Sequence, residues 1–369
     1  KYKDWQERFS IGKKLQTKII MESLSAYIPT DRRFALARGI DLASYTTGAA
    51  LFADISGFTP LAEALVQALG PQRGAEELTL WLNKIYDALV TEISSYRGSV
   101  ISFSGDAITC WFDDTNSRLS AALRGTASAL AIQRAMQQFA QVDISGAGTV
   151  SLAIKVVVTA GSARRFLIGD PAIQLVDALA GETLYRLAEG EHLAHRAEVL
   201  LDQPAVTALG EQIEISEWIE DPRSGERFAI ITRLKTNIGS DPWPPLEPDE
   251  LGNDLIRPWL LPAVYERLMS GMGEFLTELR PTVALFVRFS GIDYDEDPHA
   301  QSKLNAYIQD VQRILARYDS YMLQLTIGDK GSNFYAAFGA PLAHEDDAIR
   351  AVAAALELRD LQLDFIQDV

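Results

Sequence analysis

The stretch ALFADISGF, Ala50–Phe58, returns late in the chain as ALFVRFSGI, Ala284–Ile292, with Leu, Phe, Ser and Gly in the same places. A second shared block follows each copy. ISFSGDAITCWF, Ile101–Phe112, is echoed by LTIGDKGSNFYAAFG, Leu325–Gly339, and both read as strand, Gly-Asp turn, strand. A helical pattern comes next in each case, at about residues 116–139 and in EDDAIRAVAAALELRDL. Self-similarity in a fixed order means one domain built twice. We therefore divide the chain into a helical lead-in at 1–45, a first unit at 46–205, a linker at 206–277 and a second unit at 278–369 of which only the N-terminal part is present.

Within the first unit the strand AALFADI runs into a small Ser-Gly turn and then a long helical region from Pro60 to about Tyr96, interrupted by Gly and Pro. VSLAIKVVVTAGSARRFLIG, Val150–Gly169, reads as a second hairpin turning at Ala160-Gly161. RAEVLLD closes the unit as a strand, and the Pro- and acid-rich SDPWPPLEPDE marks the linker as extended. Trp81, Tyr86, Trp111 and Phe112 fall at core-like spacings.

Two carboxylates stand out from this apolar frame. Asp54 ends one strand and Asp106 ends another, so with those strands adjacent the two side chains converge on one point. Hard divalent cations take oxygen ligands and bridge phosphate oxygens, which makes such a pair a metal site for a triphosphate. The turn Ile55, Ser56, Gly57, Phe58 and Thr59 leads into a helix N-terminus, whose free N–H groups and dipole favour phosphate, and its small residues let the backbone approach the ligand.

Charge narrows the partners. With 34 Lys and Arg against 50 Asp and Glu, the net charge is −16 and the pI about 4.8, so the surface repels nucleic acid and anionic lipid. No run of about 18 uncharged apolar residues offers a membrane span. The one cysteine, Cys110, sits in an apolar strand, excludes an internal disulfide and suits a reducing, cytoplasmic setting. His192 and His195 share a helix face but find no third ligand nearby, and read as solvated. No phosphate-loop G-x-x-x-x-G-K and no G-x-S-x-G is present.

ALFADISGFTPLAE, RGSVISFSGDAITCWF and VSLAIKVVVTAGSARRFLIGD resemble, in that order, the class III nucleotidyl cyclase catalytic domain, and the tandem arrangement is similar to the soluble, bicarbonate-responsive adenylyl cyclases and their bacterial relatives. The resemblance implies an α/β (α+β) fold, a ferredoxin-like sandwich per copy, with the two copies paired as an intramolecular pseudo-dimer. It implies conversion of ATP, or GTP, to a 3′,5′-cyclic nucleotide and pyrophosphate with two divalent cations, Mg²⁺ or Mn²⁺, with Ca²⁺ a further candidate. Asp54 and Asp106 match the metal aspartates and the Ile55 carbonyl completes one metal site. The backbone from Ile55 to Thr59 matches the β- and γ-phosphate cradle, and Lys155 a cation near the triphosphate.

The second copy departs from the pattern. Arg288 replaces the first metal aspartate while Asp329 keeps the second, so one of two pseudo-sites has lost its metal. Gln324 stands where relatives present a Lys to the base, and can hydrogen-bond a purine. Arg186 matches one half of the relatives' bicarbonate clamp, with Ser102 in place of its Lys. The residues that steady the pentavalent phosphate are expected beyond Val369, so the fragment is expected to be weak or inactive alone. The alternatives are a non-catalytic nucleotide-sensing module of a larger signalling protein, and a guanylyl cyclase.

Overall fold

A computed structural model describes residues 24–247, 250–270, 281–328 and 331–367. The lead-in helix read in TKIIMESLSAYI lies mostly outside them, as does Asp329. Ten helices occur among the described residues: α1 Thr30–Ala37, α2 Phe58–Leu69, α3 Pro71–Ser95, α4 Ala121–Met136, α5 Glu182–Leu193, α6 Gln203–Leu209, α7 Asn253–Ile256, α8 Pro262–Met269, α9 Ala300–Arg317 and α10 Asp347–Arg359. The main sheet takes β1 Tyr45–Ser56, β2 Ser99–Ser104, β3 Ala107–Asp113, β6 Ala153–Ile168, β7 Val176–Ala180, β8 Val199–Asp202, β9 Ile213–Glu220 and β10 Arg227–Leu234, in the order β2-β3-β1-β6-β8-β10-β9 with β7 beside β6. A small hairpin of β4 Val142–Ile144 and β5 Gly148–Val150 stands apart. The second sheet holds β11 Val283–Phe289, β12 Tyr321–Gly328 and β13 Gly331–Phe338 in the order β11-β13-β12. In each sheet the second strand of the Gly-Asp hairpin lies against the leading strand, β3 on β1 and β13 on β11. This mixed α/β architecture agrees with the fold class read from the sequence.

β1 is nearly continuous in apolar residues because both its faces are covered. Ala49, Leu51, Ala53 and Ile55 point into a core with α2, α3 and α4, whereas Ala50 and Phe52 face a second cluster with Leu184 and Leu187 of α5. Asp54 belongs to that second, α5-facing set. The cluster is thin at the end of the strand, which leaves room for a charge there.

Two expectations about this unit change. The segment 153–168 is one strand, not a hairpin: it pairs with β1 without interruption from Tyr45↔Arg164 to Ser56↔Ala153. Gly161 is paired with Gly48 rather than turning, and its missing side chain makes way for α5, since a Cβ there would stand 2.7 Å from Thr183 Oγ1. The segment 206–277 is more than a linker. Its Ile213–Leu234 hairpin extends the main sheet beyond β8: the apolar run Phe228–Ile231 of β10 feeds the buried clusters on both faces, and its first three residues pair with the edge of β8. The extended part that follows is strapped to the first unit, with Asp241 N–H donating to Ser95 O at 2.9 Å and Trp243 Nε1 to Gly98 O at 2.9 Å. The long helical region breaks at Gly70 into α2 and α3.

The two sheets meet through β6 and β7. Phe166, Ile168, Ala178 and Ala180 lie in the same buried cluster as Leu304, Ile308 and Val311 of α9 and Phe334 of β13. Polar contacts lock the seam: Gly169 N–H donates to Asn305 Oδ1 at 2.8 Å and Asp170 N–H to Gln312 Oε1 at 2.7 Å.

Candidate active site

Asp54 is the last but two residue of β1, opposite Ala107 on one side and Lys155 on the other. Asp106 follows Gly105 in the β2–β3 turn, and its carbonyl accepts the Ile55 N–H at 3.2 Å, which ties the turn to the strand end. The two carboxylates thus lie near enough for the charge of Asp54 to act on Asp106. Their mutual repulsion is visible in Asp106: burial raises its pKa above the usual carboxylate range and the charge of Asp54 adds to that, against a backbone hydrogen bond and Lys155.

The turn beyond them is built for close approach. Gly57 has φ +97°, and a Cβ there would lie 2.4 Å from Ser151 O, so no side chain fits. It caps α2 without any side-chain hydrogen bond, leaving the Phe58 and Thr59 end of a twelve-residue helix to an outside acceptor.

Lys155 stands beside the pair but is already engaged. Its Nζ lies 3.4 Å from Asp54 Oδ2 and 2.8 Å from Glu191 Oε1, and also donates to the Glu191 carbonyl at 3.1 Å. Burial alone would lower its pKa; Glu191 and Asp54 outweigh that and hold it above the ordinary lysine value. Tyr86 of α3 closes the other side, its hydroxyl donating to Gly105 O at 2.7 Å and its pKa pushed up to about 12 by burial and by the charges of Asp106 and Asp54. Sequence reasoning missed both neighbours. Tyr86 was absorbed into a core stripe, although a buried Tyr hydroxyl needs a partner. Glu191 sits in the last turn of α5, where an acid opposes the helix dipole and so signals a cation nearby.

The structure places three further expected positions as follows. Arg186 is buried, and each of its guanidinium nitrogens is taken: Nε by Asp202 at 2.9 Å, one terminal nitrogen by Ala160 O at 2.9 Å and the other by Glu182 at 3.0 Å. It braces α5 against β6 and β8 and keeps no open face for an anion. Gln324 reaches the first unit and donates from Nε2 to Ser104 Oγ at 2.7 Å and to Thr326 Oγ1 at 3.0 Å. Arg288 is exposed on β11.

Among the described residues no group of three or more His, Cys, Asp or Glu side chains is placed to hold a metal. A cation between Asp54 and Asp106 would therefore have two carboxylates, the adjoining backbone carbonyl of Ile55 and oxygens from outside the protein. That set suits a Mg²⁺-like ion, which keeps few protein ligands and takes phosphate oxygens. The donors present fit the group.

No family model matches the chain. Curated relatives do. Adenylate cyclase type 10 of Rattus norvegicus is 22% identical over 343 residues, covering 85% of this chain and 21% of the relative, and that of Homo sapiens is 20% identical over 351 residues, covering 86% and 21%. The chain is related to the class III nucleotidyl cyclases. It spans about a fifth of the length of the curated relatives it matches. Among solved structures, the adenylyl cyclase CyaB from P. aeruginosa is 18% identical with a TM-score of 0.45, over 53% of this chain and 98% of that one. A bacterial light-regulated adenylyl cyclase is 16% identical with a TM-score of 0.46, over 61% and 64%. No described helix is long and apolar enough to cross a membrane.

Proposed function

We propose that the chain is an adenylyl cyclase core that converts ATP to 3′,5′-cyclic AMP and pyrophosphate at a site made by Asp54, Asp106 and the start of α2. The observation that carries this reading is the juxtaposition of two carboxylates at adjoining strand ends beside an uncapped helix N-terminus. Two divalent cations bound there would supply the charge that makes the ribose 3′-hydroxyl a nucleophile and pyrophosphate a leaving group.

The chain's own residues do the rest. Asp54 near the end of β1 and Asp106 in the β2–β3 turn, tied to β1 by the Ile55 N–H, would hold the cations. The Phe58 and Thr59 amides face the triphosphate, and Gly57 lets it approach the backbone. Lys155, whose Nζ lies between Asp54 and Glu191, would turn toward phosphate oxygens if a metal took the Asp54 carboxylate. The shared strand order of the two sheets supports the tandem reading, with residues 278–369 forming the start of a second unit paired with the first. The buried Cys110 accords with a cytoplasmic setting.

A second reading, a nucleotide-sensing module without turnover, is favoured by one observation: Lys155 is spent on Glu191 and Asp54, as in a site that holds its own counter-charges. The two separate by assay. In a longer chain that carries a complete second unit, with Mn²⁺ and ATP, the cyclase reading expects cyclic AMP, lost in Asp54→Ala and Asp106→Ala. Calorimetric binding of a non-reactive ATP analogue with no product from ATP would favour the sensor, and product from ATP undiminished in both variants would refute the site.

A further inference from the structure

The β2–β3 turn that carries Asp106 lies on the edge of the main sheet, because β2 ends the strand order. Gly105 at its tip has φ +63° and open space around it. Strand pairing on one side only would leave such a tip free to sway, yet a carboxylate that holds a metal has to stay within a fraction of an ångström of its place. Three hydrogen bonds hold this one. Ile55 N–H donates to the Asp106 carbonyl, Tyr86 Oη donates to the Gly105 carbonyl, and Gln324 Nε2 donates to Ser104 Oγ. The first two come from the unit that owns the turn. The third comes from β12, in the other sheet.

The Gln324 contact is a prepared one. A side-chain amide has two N–H donors, and both are in use, one on Ser104 Oγ at 2.7 Å and one on Thr326 Oγ1 at 3.0 Å. Thr326 fixes the amide plane from the same strand, so the other N–H is aimed at Ser104 before the two sheets meet. Across the turn, Tyr86 is itself set by an edge-on contact with Phe103, their ring centroids 5.0 Å apart. A glutamine whose donors are both spent on protein has none left to read a purine.

We propose that Gln324 is a positioning residue for the metal carboxylate: with Tyr86 it clamps the Ser104–Gly105–Asp106 turn from the opposite sheet, so the placement of Asp106 depends on how the second unit is docked. The metal role of Asp106 is that of the proposed function; the clamp itself is a statement about the turn and is read without metal. By this account the second unit acts on the site through the geometry of a ligand rather than through the nucleotide base.

The test uses the whole chain in four forms: wild type, Gln324→Ala, Ser104→Ala and the double variant, each checked for an unchanged thermal melt. Hydrogen exchange of the Gly105 and Asp106 amides without metal reads the clamp, and Mn²⁺ affinity by calorimetry reads its consequence. Both single variants are expected to speed exchange at the turn and to weaken Mn²⁺ binding about 10- to 100-fold, on the scale of lost outer contacts to metal ligands. The double variant is expected to add nothing to either single one, as one shared bond requires. Exchange unchanged in Gln324→Ala, or Ser104→Ala silent where Gln324→Ala is not, overturns the clamp. So does a Gln324→Ala chain with normal Mn²⁺ affinity and a raised KM for ATP, the signature of a base reader. Faster exchange in a chain that binds no Mn²⁺ even as wild type leaves the clamp standing and removes the metal reading instead.

Discussion

Lys155 illustrates how one residue can be legible in kind and not in arrangement. A cation near the triphosphate is what the resemblance implies for it, but its pairing with Asp54 across β1 and β6 appears only in the fold, and its partner Glu191 comes from the end of α5 and has no sequence link to it. The ammonium at 3.4 Å from Asp54 Oδ2 occupies the side from which a cation would approach, and Glu191 offers it another seat. Lys155→Met should therefore tighten Mn²⁺ binding several-fold in the absence of nucleotide, and Glu191→Gln should weaken it, because the lysine then leans on Asp54 alone. In a Lys155→Met background the effect of Glu191→Gln should largely vanish, and a full effect there, read by calorimetry, would show that Glu191 acts merely as distant charge. Asp54 and Asp106 could be found because a carboxylate in an apolar run is conspicuous. The partners of Arg186 were not legible, because only the fold brings Asp202, Glu182 and the Ala160 carbonyl around it.

Elements are positioned by contacts that local pattern does not announce. Residues 160–161 looked like a turn because Ala-Gly interrupts a β-rich run; the long pairing with β1 overrides that and keeps the strand straight. The β9–β10 hairpin was hidden by polar neighbours in what reads as a linker. The attachment of α1 is likewise tertiary. Asp31 and Arg32 of the helix meet Arg165 of β6 and Asp177 of β7 in a buried four-charge network, with Arg32 Nε 3.0 Å and an Arg165 nitrogen 2.7 Å from Asp177 Oδ2, and Asp31 paired with Arg165. Breaking such a group leaves unpaired buried charge, so Asp177→Asn should cost about 3–5 kcal/mol in urea unfolding at neutral pH. Its pH dependence has a definite sign. Burial would raise the Asp177 carboxyl, but Arg165 and Arg32 hold it below the usual range. The stability it contributes is present above its unfolded value of about 3.9 and is lost as pH falls through the lower folded one. Between neutral pH and acid, wild type should lose more stability than Asp177→Asn; parallel losses would place the acid response elsewhere.

At the scale of the whole molecule, the matching sequence blocks were the easiest feature to read and the contacts between the two sheets the hardest. Two matching blocks in the same order are expected to belong to two related units; each sheet places the second strand of its Gly-Asp hairpin on the leading strand. Nothing local announces that the far end of β6, with β7, lies in one buried cluster with α9 and β13, or that Gln324 touches Ser104. Contacts between units are made by surfaces whose partners lie far apart in sequence, so hydrophobic periodicity identifies the faces and leaves the pairing open. The central claim is that two carboxylates from neighbouring strands of one unit form a cation site for a nucleotide's phosphates. Titration of Mn²⁺ into the chain, followed by electron paramagnetic resonance with and without a non-reactive ATP analogue, tests it most directly. Binding that is strengthened by the analogue and weakened at least about 10-fold by either Asp54→Asn or Asp106→Asn is the result expected; the same Mn²⁺ affinity in wild type and both variants would contradict it.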